Sequence, residues 1–196
     1  MARIALEGLS DQILDAALEQ FRRFGYAKSS MARIAQAAGV ATGTLYLYYE
    51  NKNDILKACA RRFHDEHAEQ SKDLLADEDM DAAEKLSRYV LQRHDKWLLE
   101  IGDEEGRPDF AAALVRAAPD INRRENELWA QTLQRILLQG QKTRRFHFDS
   151  PAAESRIFFQ CLIGFFPLPG VRHPFQPSRQ DLKKMILWFC EKWRPS

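Results

Sequence analysis

The chain has little of what would mark an extracellular, membrane-embedded or metal-bound protein. Only three cysteines, Cys59, Cys161 and Cys190, stand among its 196 residues, and none has CxxC spacing. An odd, scattered set argues against a disulfide framework and against a zinc site. Each lies in an apolar helical stretch and reads as a buried free thiol. There is no run of ~18 apolar residues, so no membrane-spanning helix is expected. Residues 1–10 lack the apolar stretch of a signal peptide, and a cytoplasmic protein is expected. β-branched clusters of period two are missing, which disfavours strands. The glycine and histidine patterns of GxGxxG, P-loop, GxSxG and HExxH sites are also missing, so neither an enzyme nor a cofactor is expected. Charge of one sign is scarce too: 29 Lys and Arg face 28 Asp and Glu, for a net +1. The split is uneven, with nine basic and six acidic residues in positions 1–62 against twenty and twenty-two in the remainder. A mildly basic front end permits nucleic-acid contact without requiring it.

What the chain does have is apolar residues, 45% of the total, recurring at spacings of three and four. That periodicity predicts helices almost throughout. Ser10 suits an N-cap, with Asp11 in the first turn and an apolar face of Ile13, Leu14, Ala17, Leu18, Phe21 and Phe24, ended by Gly25. Ser30 opens a short second helix through Ile34, Ala35 and Ala38, stopped by Gly39. A third short helix covers residues 42–49. Asn51, with Asp54 three residues on, caps a fourth in the manner of a capping box; it carries Ile55, Leu56, Cys59 and Phe63 and runs on to Leu75. Asp81 starts a fifth, with Leu86, Tyr89, Val90, Arg93 and Trp97 on one side. Residues 102–108 read as a break and 110–117 as a short helix. Pro119 starts another, with Leu128, Trp129, Leu133, Ile136 and Leu137, and residues 143–149 form a polar connection. Ser150-Pro151 begins the next, with proline at the tolerated first position. Pro167, Pro169, Pro174 and Pro177 make a rigid loop, and Ser178 caps the last helix. The chain shows no internal repeat and no flexible linker. The boundary between two parts lies within the fourth helix, with domains of 1–52 and 53–196.

Residues 30–52 have the geometry of a helix-turn-helix. Gly39 allows the left-handed backbone of a sharp turn. Ala35 and Ala38 are small enough for another helix to approach closely. Leu45 and Tyr49 share an inward face, while the pairs Thr42/Tyr46 and Thr44/Tyr48 present hydroxyls outward, toward phosphate oxygens. Gly43 lets the backbone come near a base edge or sugar, and Lys52 brings a charge to the start of the next helix. The run Ile34-Ala35-Gln36-Ala37-Ala38-Gly39-Val40, then Gly43-Thr44-Leu45-Tyr46-Leu47-Tyr48-Tyr49, then Asn51-Lys52, resembles the signature of the TetR family of bacterial regulators. The resemblance covers about residues 9–60. It implies an all-α protein of about nine helices, with an N-terminal three-helix DNA-binding domain and a C-terminal ligand-binding and dimerisation domain. It implies phosphate contacts from Thr44, Tyr46 and Lys52, with Thr42, Gly43 and Tyr48 near bases or backbone. Ala41 stands where the family often has a capping serine, so Thr42 is the substitute cap. Ala32 stands where some members carry a base-reading arginine, and the neighbouring Arg33 is a phosphate candidate.

A helix-turn-helix protein usually reads two half-sites as a symmetric dimer, with recognition helices about 34–36 Å apart. The last two helices are the candidate interface, through Phe158, Leu162, Phe165, Ile186, Phe189 and Trp193, with Gly164 permitting close approach; the competing reading is that these stripes face the chain's own core. By the resemblance, the middle helices enclose a pocket for a small, hydrophobic or aromatic effector. Its candidates are Tyr89, Arg93, Trp97, Phe110, Leu114 and Trp129, with Phe146 nearby and His94, Arg116 and Gln131 as polar neighbours. The expected function is a repressor that binds a palindromic double-stranded DNA operator as a homodimer and is released by that effector. Gating by a protein partner, or no gating, is the alternative. A remoter one is a cofactor-free or metal-binding helical enzyme, for which His64 and His67, three apart on one helix, are the only ligand pair.

Overall fold

Glycines, prolines and side-chain caps divide the apolar periodicity into helices of unequal length. The computed structural model describes residues 2–100, 107–166 and 177–195. Among these there are nine α-helices and no strand: α1 (Ala2–Phe24), α2 (Met31–Ala37), α3 (Thr42–Tyr48), α4 (Lys52–Ala76), α5 (Ala82–Glu100), α6 (Arg107–Ala117), α7 (Pro119–Lys142), α8 (Pro151–Leu162) and α9 (Arg179–Lys192). A single 3-10 turn, Ile163–Phe165, follows α8. None of the described helices is long and apolar enough to cross a membrane. The expected loop prolines Pro167, Pro169 and Pro174, and most of the expected break at 102–108, lie outside the described residues.

Most caps act as the residue types dictate. The Ser30 hydroxyl accepts from the Arg33 amide, and Asp81 accepts from both Ala83 and Glu84. Ser150 caps α8 over Pro151, and Ser178 with Asp181 forms a complete capping box on α9. At α4 the Asn51 carbonyl oxygen accepts from the Asp54 amide, while the return bond runs from the Asn51 side-chain amide to the Asp54 carboxylate. Two expected caps are absent. Helix α1 starts at Ala2, so Ser10 is interior to it; its hydroxyl is spent on Tyr49 instead. Helix α3 has Ala41 as its N-cap and no side-chain cap at all, Thr42 being already its first helical residue.

The chain divides into two compact units. The first holds residues up to His64 and, from later in the chain, α6 and the start of α7 as far as Asn122. The division within α4 thus falls at His64, not at residue 52, and α6 joins the first unit. The core of this unit is Ile13, Leu14, Ala17 and Phe21 of α1 with Ile34, Ala35, Leu45, Ile55, Leu56 and Cys59. Phe110 and Ala113 of α6 complete it, with Phe110 stacked on Phe21 at 5.8 Å. Phe110 and Leu114, expected in a ligand pocket, therefore pack in this core instead. Burial drives the Cys59 thiol up to about 12, which makes it inert.

The second unit is built on the last part of α4 with α5, most of α7, α8 and α9. Leu86, Val90, Leu133, Ile136, Leu137, Phe158, Leu162, Leu182, Ile186, Phe189 and Trp193 fill its interior. This corrects the expected dimer stripe. Phe158, Leu162, Ile186, Phe189 and Trp193 are buried in the chain's own core, and Phe165 packs half-buried against it. The reason is that α8 and α9 each have two apolar faces, and the more aromatic one closes the unit. The other face leaves Ile157, Cys161, Ile163, Leu187 and Trp188 exposed; Cys161 is thus a surface thiol, not a buried one. The expected polar connection after α7 is also partly core, because Phe146 and Phe148 pack edge-on to Trp193 at 5.5 and 5.8 Å. The Trp193 indole N–H in turn donates to the Glu154 carboxylate at 2.8 Å.

Gly140 of α7 is what lets Phe146 fold back. A Cβ at this position would lie 2.2 Å from the Phe146 ring and 2.9 Å from Ala82 Cβ. Gly140→Ala should therefore cost about 1–3 kcal/mol in urea unfolding, the usual range for overpacking a core. Gly164→Ala, whose Cβ meets nothing within 4 Å, should leave the midpoint of the isolated chain unchanged.

Candidate nucleic-acid interface and buried aromatic site

The turn between α2 and α3 is fixed from three sides. Gly39 adopts φ +67, and its amide and that of Val40 return to Gln36 and Ala35. Gln12 of α1 donates to the Ala38 carbonyl at 2.8 Å, tying the end of α2 to α1. Leu45 is fully buried and anchors α3. Tyr49, at the C-cap, bonds Ser10 at 2.9 Å across the unit, and burial holds its phenol above the ordinary tyrosine value.

The expected DNA-contact residues separate into three groups. Arg33, Thr42, Gly43 and Tyr46 are exposed, with Tyr46 at 51% and Arg33 resting at 3.3 Å from the Lys28 carbonyl. Thr44 is half-buried. Tyr48 does not stand outward as expected: it is half-buried and packs against the core. Lys52 has a duty that the sequence pattern did not suggest. Its ammonium donates to the Tyr26 carbonyl at 2.6 Å and the Ser29 carbonyl at 2.8 Å, and lies 4.2 Å from the Tyr26 ring centroid. Partial burial pulls its charge below the usual lysine value, and Asp109 opposes that shift. The same Asp109 accepts from the Ala27 amide at 2.6 Å. Lys52 therefore closes the turn after α1 onto the start of α4. Leu47, quoted in the signature without a role, is 84% exposed on α3; a helical wheel centred on Leu45 would have shown it facing away from the core.

In the second unit, four of the expected pocket residues come together. His67 Nε2 meets the Tyr89 hydroxyl at 2.9 Å, and His67 Nδ1 meets Glu125 at 2.5 Å. Arg93 pairs with the same Glu125 oxygen at 2.6 Å and lies over the Trp129 ring at 4.7 Å. Phe166 is the centre of an aromatic group, with Trp129 at 4.6 Å, His94 at 5.7 Å and Trp97 at 6.4 Å; Phe159 also abuts Trp129, at 4.8 Å. The indole nitrogens of Trp97 and Trp129 are buried and have no hydrogen-bond partner. Of the expected polar neighbours, His94 is buried here, Gln131 is exposed, and Arg116 belongs to the first unit. Both ring nitrogens of His67 are engaged, which leaves no lone pair for a metal. Among the described residues no group of three His, Cys, Asp or Glu could hold one.

Burial pulls the His67 ring below histidine's ordinary value, Arg93 acts the same way, and the Glu125 hydrogen bond opposes both. The folded form thus keeps the ring neutral, with Nδ1–H donating to Glu125 and the Tyr89 hydroxyl donating to Nε2. In the unfolded chain the ring binds a proton below about pH 6.5. Stability present above that pH is lost as pH falls toward the depressed folded value. The melting temperature of the protein should drop more between about pH 7.5 and about pH 5.5 than that of His67→Gln, which cannot titrate. Lys52→Met should lower stability by about 1–2 kcal/mol without any DNA present, because two carbonyls lose a charged donor. A melting curve that matches the wild type would show the clamp to be idle.

Residues 13–59 match the family described as bacterial regulatory proteins, tetR family. The fatty acid metabolism regulator protein of Bacillus subtilis (strain 168) is 56% identical over 45 residues, 23% of either chain. Other matches span at most 45% of this chain and 42% of the relative, as with the regulator TtgR of Pseudomonas putida at 27% identity. The chain therefore covers well under two thirds of the length of these curated relatives. In solved structures the likeness extends over the fold. SmeT of Stenotrophomonas maltophilia, in complex with triclosan, is similar with a TM-score of 0.72 at 17% identity, over 96% of this chain and 93% of that one.

Proposed function

The chain belongs to the TetR family of bacterial regulatory proteins, and on that premise we propose that it is a transcriptional repressor. It binds a palindromic operator as a homodimer and leaves it when a small aromatic or hydrophobic effector binds in the second unit. The observation that carries the reading is α3 itself. Its one buried side chain, Leu45, holds it in the first unit while Thr42, Gly43 and Tyr46 are left to solvent, beside the exposed Arg33 of α2. In this reading Arg33, Thr44 and Tyr46 donate to phosphates, and Thr42 and Gly43 lie near bases. Lys52 and Tyr48 act one step back, by holding the turn and α3 in place. Nothing here calls for catalysis.

The dimer is proposed to form through the outer faces of α8 and α9. Ile157, Cys161 and Gly164 recur at helical spacing, and Leu187 and Trp188, 60% and 61% exposed, stand on α9. Gly164 has open space where a Cβ would be, so a second chain can come close. The effector is assigned to the aromatic group around Phe166. Aromatic walls suit a flat apolar body. The two unpartnered indole N–H groups each stand to gain about 1–3 kcal/mol from an acceptor, so the effector carries a carbonyl, phenol or carboxylate oxygen. SmeT, of the same fold, is seen with triclosan, which makes that compound a reasonable first probe.

Binding of the full chain to a randomised duplex pool tests the whole reading. Thr44→Val and Tyr46→Phe should each weaken binding about fivefold to tenfold on every sequence, as loss of a phosphate contact does; unchanged affinity in both overturns the docking. Trp188→Glu should sediment as a monomer and lose operator affinity. Trp129→Phe should keep the operator complex but weaken its release by any compound that releases the wild type. If no compound releases it, gating by a partner protein or no gating replaces the effector.

A further inference from the structure

We propose that Leu47 reads the 5-methyl group of a thymine in each operator half-site. The inference rests on the DNA-binding reading above and names what the outward face of α3 recognises. At about 100° per residue, Gly43 and Leu47 fall within about 20° of the point opposite Leu45. Leu45 is fully buried, while Leu47 at 84% is the most exposed large hydrophobic among the described residues. Gly43 has nothing within 4 Å of where its Cβ would be, so no side chain flanks Leu47 one turn back. Thr44 and Tyr46 stand on opposite shoulders of the same helix, about 100° to either side of Leu45. That places two hydroxyls to the sides, where phosphates of the two strands run, and an apolar strip between them facing the groove floor.

The floor of the major groove offers donors and acceptors at every base pair and one apolar group, the thymine methyl. A leucine pressed against a donor or acceptor strips it of water and returns no hydrogen bond, which is unfavourable. Against a methyl, both surfaces leave water together, which is favourable. The helix carries no side chain at position 43 to push the leucine away. Arg33 lies on α2, and Ala32 and Ala41 bring no polar group to the face. Leu47 is thus the side chain of α3 best placed to distinguish one base pair from another, and it does so by contact rather than by hydrogen bonding.

The test uses the full chain and the operator it selects from a randomised duplex pool. Each thymine is replaced symmetrically in both half-sites by deoxyuridine, which keeps every donor and acceptor and lacks only the methyl. One position should weaken wild-type binding by about 15-fold, two buried methyl groups at about fourfold each. Leu47→Ala, a surface change that should leave the melting temperature alone, should bind the thymine and uracil duplexes equally at that position. Indifference of the wild type to uracil everywhere overturns the proposal, as does a uracil penalty that persists in Leu47→Ala. If the protein enriches no sequence from the pool, the DNA-binding reading itself fails, and this inference with it.

Discussion

A helix of seven residues has no stability of its own. Helices shorter than about 12 residues are marginal in water even with favourable composition, and α3 has an uncapped N-terminus and two β-branched threonines. Its conformation depends on being anchored from outside, and the first unit is arranged around that need. Leu45 is its one fully buried side chain. Ser10 of α1 holds Tyr49 at the far end, and Gln12 of the same helix holds the turn before it. The left-handed Gly39 removes the strain of turning sharply. Lys52 fixes the start of α4 by bonding to the turn after α1. A helix held this way can leave its whole opposite side bare, and that bare side is what gives it a use.

Much of this was legible in the residues. Gly39 between two short apolar patterns, Ser30 three residues before Arg33, and Leu45 four residues before Tyr49 are local signals, and local signals survive translation into structure. The misreadings came where a residue answers to a partner far along the chain. Ser10 looks like a cap because serine caps helices, but Tyr49, 39 residues later, claims its hydroxyl. Lys52 looks like a free charge at a helix start, but carbonyls 23 and 26 residues earlier claim it. Phe110 and Leu114 look like part of the regulatory half because they follow it in sequence, yet they pack on α1 and its neighbours. None of these long-range pairings leaves a periodic trace.

A different ambiguity governs α8 and α9. Periodicity shows that a helix has an apolar stripe; it does not say which of two stripes meets the same chain and which meets another. Here the richer stripe, with Phe158, Phe189 and Trp193 in mutual ring contact, closes the interior, because large aromatics fill the most volume and lose the most by exposure. The leaner stripe, with Ile157, Leu187 and Trp188, stays outside. Weight of hydrophobicity therefore points to the core, and the interface must be sought in what is left over. The buried Glu125, Arg93 and His67 group follows an opposite logic. Charges inside a helical core are costly unless each is paired, and here one carboxylate oxygen serves both Arg93 and His67, so that the network ties α4 to α5 and α7 in one arrangement.

The proposed reading surface sets a condition on the rest of the molecule. The first 62 residues carry only three more basic than acidic residues, and the outward face of α3 bears hydroxyls, a glycine and a leucine. Nonspecific attraction to DNA scales with the phosphates neutralised, and here that number is small. Base discrimination through one methyl contact is worth about fourfold, far below the about thousandfold or more that separates specific from nonspecific binding in known systems. A single first unit on DNA would thus bind weakly and choose poorly. Two units joined rigidly multiply their preferences, since the second half-site binds without a further loss of translational freedom. The thinner the reading surface of one chain, the more its selectivity must come from the face that joins it to a second. On this argument the leftover apolar stripe on α8 and α9 is as much a part of operator recognition as Leu47 or Tyr46.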